Sequence, residues 1–261
     1  MTASICSIDV ADGFQPNPVL VKGEGAPLVY LHGLLGQEWN GLVDGLSATR
    51  RVYAPAHAGA DEPDELRHLN GMHDLVLYYD DVLDALGLDE IDLVGHSFGG
   101  MVAAEIAAVR PDRVRRLVLI DALGLWRDDA PVADFLLVPP DRQTALLLGD
   151  PATSAVRARL ALPDDPEQRI VQTLRRTTSM ASIAHFLWPI PERGLARRLR
   201  RIKAPTLIVW GGEDRLVPPT YAQDFADAIR TATVEVIAGA GHTPHFPDCQ
   251  TVLDKVTAFL A

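Results

Sequence analysis

Cysteine is almost absent: of 261 residues only Cys6 and Cys249 carry a thiol, one near each end. Two cysteines do not make the disulfide framework of a secreted domain, and neither has metal-ligand spacing to a partner. No stretch approaches the run of about 20 apolar residues that spans a bilayer. The opening MTASICSIDVADGF lacks the basic start and continuous apolar run of a signal peptide. The expectation is a reduced, cytoplasmic protein with no membrane partner. Basic residues are in deficit, 24 Lys and Arg against 35 Asp and Glu, for a net charge of -11. Phosphate backbones are held by clustered cations, so no nucleic-acid partner is expected. The one basic cluster, Arg197, Arg198, Arg200 and Arg201, reads as the solvated face of a helix. A Gly-rich phosphate loop followed by Lys-Ser/Thr is missing, and no pair of histidines has zinc-ligand spacing with a second ligand cluster. No metal and no organic cofactor are therefore expected.

What is present is ordinary globular composition, 48% hydrophobic and 23% charged, in a chain long enough for a self-sufficient core. The segments ASICSIDVADG and PVLVKGEGAP alternate and turn like an antiparallel edge hairpin. Then strand and helix patterns alternate. LVYL (28–31), RVYAPA (51–56), EIDLVG (90–95) and RRLVLID (115–121) read as strands, and 70–86 and 98–109 carry helical spacing. PTLIVWGGED (205–214) and TVEVIAG (233–239) are further strands, with helices over 219–229 and 249–260. Such alternation predicts right-handed crossovers in one mostly parallel sheet with helices on both faces, an α/β fold. Residues 122–201 break the rhythm, with helical patterns and no convincing strand. That block is too long for a plain loop and predicts a helical cap inserted into a core made of 1–121 and 202–261. The cap is expected at the end of the sheet where open α/β folds bind ligands.

Between the strand LDEIDLV and the helix MVAAEIAA stands Gly95-His-Ser-Phe-Gly99, a G-x-S-x-G motif. A serine at so tight a turn has a crowded backbone, needs small neighbours and is pushed clear of the sheet. The helix N-terminus beneath it offers N–H groups and a positive dipole end to a developing oxyanion. Serine needs a base. His242, in the Gly-rich loop after the last strand, is the candidate, with His245 as competitor and expected neighbour of the site. The acid that orients an imidazole is expected at Asp214, in the loop after TLIVW. Asp121, ending LVLID, is the rival, and Glu213 is expected to point elsewhere. The oxyanion donors are expected to be the backbone N–H groups of Phe98 and of Leu34, in the loop after LVYL. His32, His57, His96 and the remaining histidines read as structural.

Taken together, LHGLLG, GHSFGG, VWGGEDRLVP and GAGHTPH resemble the α/β-hydrolase fold superfamily over nearly the whole chain from Leu28. The resemblance implies a Ser97–Asp214–His242 triad, an oxyanion hole at Leu34 and Phe98, and a cap over 122–201. VWGGEDRLVP is similar to the corresponding stretch of hydrolases that cleave carbon–carbon bonds of ring-fission products, and also of simple esterases. The activity implied first is hydrolysis of a small-to-medium, apolar carboxylic ester through an acyl-enzyme. C–C bond hydrolysis of a dienoate, with Arg193 holding its carboxylate, is the alternative. A non-catalytic small-ligand binder on the same fold is a third reading. Phe135, Leu137, Phe186 and Trp188 are the expected pocket residues, and oligomeric state is left open.

Overall fold

The computed structural model describes residues 3–188, 190 and 193–261. Among these, eight strands form one sheet in the order β1-β2-β4-β3-β5-β6-β7-β8. β1 (Ser4–Ile8) and β2 (Asn17–Lys22) make the expected antiparallel edge. β3 (Pro27–Leu31), helix α1 (Gly41–Leu46) and β4 (Arg51–Ala54) follow. Next come α2 (Met72–Ala85), β5 (Ile91–His96), α3 (Phe98–Val109) and β6 (Val114–Ile120). α1 is the one of these that the periodicity did not announce. It is short, contains two glycines, and is started by the Asn40 side chain accepting from Val43 N at 3.0 Å.

Between β6 and the next strand the described residues form four α-helices, α4 (Pro140–Leu148), α5 (Ser154–Leu160), α6 (Pro166–Leu187) and α7 (Leu195–Arg198), the last continued by a short 3-10 turn, Leu199–Arg201. β7 (Thr206–Gly211), α8 (Thr220–Ala228), β8 (Ala232–Ile237) and α9 (Gln250–Leu260) complete the chain. From β4 through β8 every sheet pairing is parallel. Alternate residues of one strand face opposite layers, and the core divides accordingly. Leu31, Leu93, Leu117 and Trp210 pack with α2, α3 and α8 on one face. Tyr30, Val94, Val118 and Val209 pack with α1 and α9 on the other. Both faces are covered, which is why these strands read as unbroken apolar runs.

α6 is anchored by polar bonds to the segment after β4. Ser182 donates to the Ala58 carbonyl and Thr178 to that of Ala60, each at 2.6 Å. The last part of the 122–201 block lies against the flank of the sheet. Leu195 and Leu199 are buried in the core with α3, while Arg197, Arg200 and Arg201 are exposed, as the sequence suggests, and Arg198 is the half-buried exception. Arg198 forks onto the buried Glu105 of α3, with both bonds at 2.6 Å, and Arg201 Nε donates to the Ala108 carbonyl at 2.9 Å. A charge run has no apolar period to reveal a buried partner on another helix. Among the described residues, no helix is long and apolar enough to cross a membrane.

Candidate active site

The register lines up the strand ends: Leu31 pairs with Gly95, His96 with Ile120, Ile120 with Val209, and Gly211 with Ile237. The loops that leave these ends therefore share one edge of the sheet. Ser97 sits there, wholly buried, with φ 56° and ψ -117°. That conformation is strained for a residue with a Cβ, by about 1–3 kcal/mol. The turn closes only because its flanks are glycine. A Cβ on Gly95 would lie 2.3 Å from the Gly99 carbonyl oxygen, and one on Gly99 would lie 2.1 Å from that of Leu31.

Ser97 Oγ lies 2.8 Å from His242 Nε2, and His242 Nδ1 lies 2.8 Å from Asp214 Oδ2. The other Asp214 oxygen accepts from the N–H groups of Leu216 (2.8 Å) and Val217 (3.0 Å). Trp210 Nε1 pins the same loop by donating to the Val217 carbonyl at 3.1 Å. The serine, imidazole and carboxylate thus come from three loops and form one buried chain of hydrogen bonds. Such a chain can take the serine proton as the oxygen attacks a carbonyl, and can return it to a leaving group.

The other histidines near the site hold it together. His96 Nε2 lies 2.8 Å from the backbone oxygen of His242. His57 donates its backbone N–H to His32 Nε2 at 3.2 Å, and its ring Nε2 is 2.9 Å from the His32 carbonyl. Burial pushes the His32 imidazole down to about 4 and His245 down to about 3, and takes His57 and His96 well below the usual range. These rings are neutral near pH 7, and uncharged imidazoles are what a closed pocket tolerates.

A cavity of about 270 Å³ opens at Ser97 and His242. Leu34, Trp39, Leu147, Leu148 and Phe246 form its apolar wall, and Glu38, Arg159 and His245 also line it. An adjoining cavity of about 320 Å³ shares Leu34, Leu35, Leu147 and Leu148 with it and adds Leu136 and Met180. A larger, polar groove of about 710 Å³ shares Leu35, Glu38 and Arg159. Arg159 is ion-paired with Glu38.

The family model described as the alpha/beta hydrolase fold matches residues 26–248. The chain belongs to the α/β-hydrolase fold family. It is 28% identical to the 2-hydroxymuconate semialdehyde hydrolase of Pseudomonas sp. strain CF600 over 274 residues, which cover 97% of this chain and 92% of that one. Among solved structures it resembles the meta-cleavage product hydrolase of Pseudomonas fluorescens IP01, with a TM-score of 0.75 and 22% identity, covering 98% of this chain and 97% of that one. It also resembles the naproxen esterase of Bacillus subtilis, with a TM-score of 0.73 and 19% identity, covering 99% and 92%. Likeness at these structural identities speaks for the fold alone.

In this α/β-hydrolase, Ser97, His242 and Asp214 come together, and Leu34 lines the cavity. Phe98 opens α3, so its N–H precedes any intrahelical partner. His245 stacks edge-on against His96 at 4.7 Å, beside the relay and not in it. Asp121 faces Asp214 and makes no hydrogen bond to the imidazole among the described residues. The expected pocket residues are corrected. None of Phe135, Leu137, Phe186 and Trp188 lines the Ser97 cavity. Phe135 is fully buried in the core, while Leu137 and Trp188 are 74% and 42% exposed. Phe186 stacks on Phe98 at 6.2 Å and lines a separate cavity with Arg193, so Arg193 is not at the serine either. The residues that do line the site, Trp39, Leu147, Leu148 and Arg159, lie in segments whose sequence gives no sign of which side faces inward.

Proposed function

We propose that this α/β-hydrolase is a serine hydrolase that cleaves a carboxylic ester with a small-to-medium apolar acyl group through an acyl-enzyme on Ser97. The observation that carries the reading is the unbroken chain from Ser97 Oγ through His242 to Asp214, with both links at 2.8 Å. Ser97 attacks the ester carbonyl while His242 Nε2 takes its proton. Asp214 holds the imidazole in the tautomer that can accept it and stabilises the cation that forms. The backbone N–H groups of Leu34 and Phe98 are the donors to the oxyanion, each contributing about 3–4 kcal/mol to the transition state. His242 then protonates the departing alcohol, and water repeats the sequence to release the acid. The leucine-lined compartment beside Ser97 suits the acyl chain, and the cavity at the serine, about 270 Å³, is at the small end of ligand sites. Residues 122–201 act as the cap that supplies Leu147, Leu148 and Arg159 to this pocket. The substrate is a small molecule met in the cytoplasm, and the reaction needs neither metal nor organic cofactor.

A second reading is C–C bond hydrolysis of a ring-fission dienoate. It is favoured by the full-length similarity to a 2-hydroxymuconate semialdehyde hydrolase and by Arg159, a cation lining the Ser97 cavity that could face a substrate carboxylate. The deciding experiment is a burst assay with p-nitrophenyl acetate and butyrate on wild type and Ser97→Ala. A burst of one p-nitrophenol per chain, absent from the variant, supports esterolysis. Turnover of 2-hydroxymuconate semialdehyde without any ester burst transfers the proposal to the second reading. Failure of both substrates, with no labelling by a serine-directed phosphonate, leaves a ligand-binding module and refutes both.

A further inference from the structure

Asp121 is the buried acid that the reaction above does not use. It follows β6, and its backbone N–H donates to Val209 of β7 at 3.0 Å. Its Oδ1 accepts from Gly211 N at 2.8 Å. Its Oδ2 is shut off from solvent and has no hydrogen-bond partner among the described residues. One oxygen of Asp121, one of Asp214 and a ring nitrogen of His242 all lie within 4.8 Å of one another, and all three residues are buried. Two carboxylates this close in the interior do not both ionise. Three donors converge on Asp214, namely Leu216 N, Val217 N and His242 Nδ1, whereas one, Gly211 N, serves Asp121. The surplus proton therefore belongs to Asp121, on the oxygen that lacks a partner.

We propose that Asp121 is a positioning residue: its Oδ2–H donates to the Asp214 carboxylate, so the two buried acids present one negative charge to His242. The inference deepens the serine-hydrolase reading, and only its kinetic arm rests on that reading. Burial and the neighbouring Asp214 both push the Asp121 carboxyl well above the usual carboxylate range. The other titratable groups around the pair are His242 and, behind it, His96 and His245, which burial holds neutral. The backbone agrees with a built feature. Asp121 and Ser97 are the two non-glycine residues with left-handed φ among those described, 44° and 56°. Asp and Asn tolerate that region better than most side chains, which makes Asp121→Asn a fair isostere.

The test has two arms. The infrared spectrum of wild type at neutral pH should show the carbonyl band of a buried protonated carboxylic acid, and Asp121→Asn should lack it. This arm needs no turnover, so it decides the inference even if Ser97 proves unreactive. The second arm is the pH dependence of Ser97 labelling by a phosphonate. Asn keeps the acceptor for Gly211, supplies an N–H to Asp214 and leaves the charge unchanged. Labelling should stay within about threefold of wild type, with its acid limb in place. Asp121→Ala has no donor and should label about tenfold more slowly, as loss of an orienting partner does elsewhere. A wild type without the infrared band overturns the proposal. So does an acid limb in Asp121→Asn moved down by about half a pH unit or more, because the substitution would then have removed a negative charge from beside the hydrogen-bond chain. Labelling of Asp121→Ala at the wild-type rate overturns it as well.

Discussion

Replacing Arg198 by Met keeps the aliphatic stem of the side chain and deletes its guanidinium. In the wild type the Nε and Nη2 groups each lie 2.6 Å from a different oxygen of Glu105, a bidentate fork between α7 and α3, the helix that follows Ser97. Glu105 is only 2% exposed, so the variant leaves a buried carboxylate without its main partner. Breaking such a pair costs about 3–5 kcal/mol. The Arg198 side chain is itself 35% exposed and lets water reach the site, so the lower end, about 3 kcal/mol, is expected. For a chain of this size that is a fall in Tm of about 6–12 °C. Urea unfolding followed by tryptophan fluorescence measures it directly. The double variant Glu105→Met with Arg198→Met removes both charges and should return to within about 1 kcal/mol of wild type, the signature of a desolvated pair. A loss of less than about 0.5 kcal/mol in Arg198→Met alone would show an ordinary surface pair. It would give Arg198 the same solvated role as its exposed neighbours Arg197, Arg200 and Arg201.

The corrected pocket gives a contrast between neighbours. Phe135→Ala should lose about 3–5 kcal/mol of stability, because a fully buried ring leaves a cavity. Leu137→Ala should stay within about 0.5 kcal/mol, and equal effects in calorimetry would contradict the burial assigned here. Acid should destabilise the fold earlier than carboxylate titration alone would. His32 and His245 are held at about 4 and about 3 when folded and return to the ordinary imidazole range when unfolded. Below pH about 6.5 the unfolded chain binds protons that the folded one refuses, so stability is full above that pH. It is lost as pH falls towards the folded values, by up to about 1.4 kcal/mol per pH unit for each ring. A urea midpoint that does not move between pH 6.5 and 4 would refute the assignment.

The sequence carries the parallel sheet well because strands buried on both faces leave continuous apolar runs, as in LVYL (28–31) and LVLI (117–120). It carries the arrangement of Ser97, His242 and Asp214 because each sits at a strand end marked by glycine, and the register brings those ends together. The pocket walls were not legible for a different reason. Phe135 and Leu137 lie in a turn with no periodicity to say which points inward, and Leu147, Leu148 and Arg159 belong to short helices whose mutual packing only three dimensions reveal. Arg198 departs from the solvated pattern of its run because charge patterning describes one helix at a time, while its partner Glu105 belongs to another. In the sequence Asp121 and Asp214 read as rivals for one role. Neighbouring parallel strands instead put them side by side.

Ser97 and the ring that would activate it are separated by 145 residues of chain. The strands between them pair in parallel, so each pairing waits for a crossover to be completed, and such topologies assemble slowly. A chain emerging from the ribosome displays its serine turn early, with no imidazole yet made to accept the proton. On the proposed mechanism the hydroxyl stays an ordinary alcohol until β8 has docked and the loop after it has closed. On the reading proposed above, order of synthesis is a safeguard: a nascent or truncated chain ending anywhere before His242 carries the serine turn without the ring that activates it.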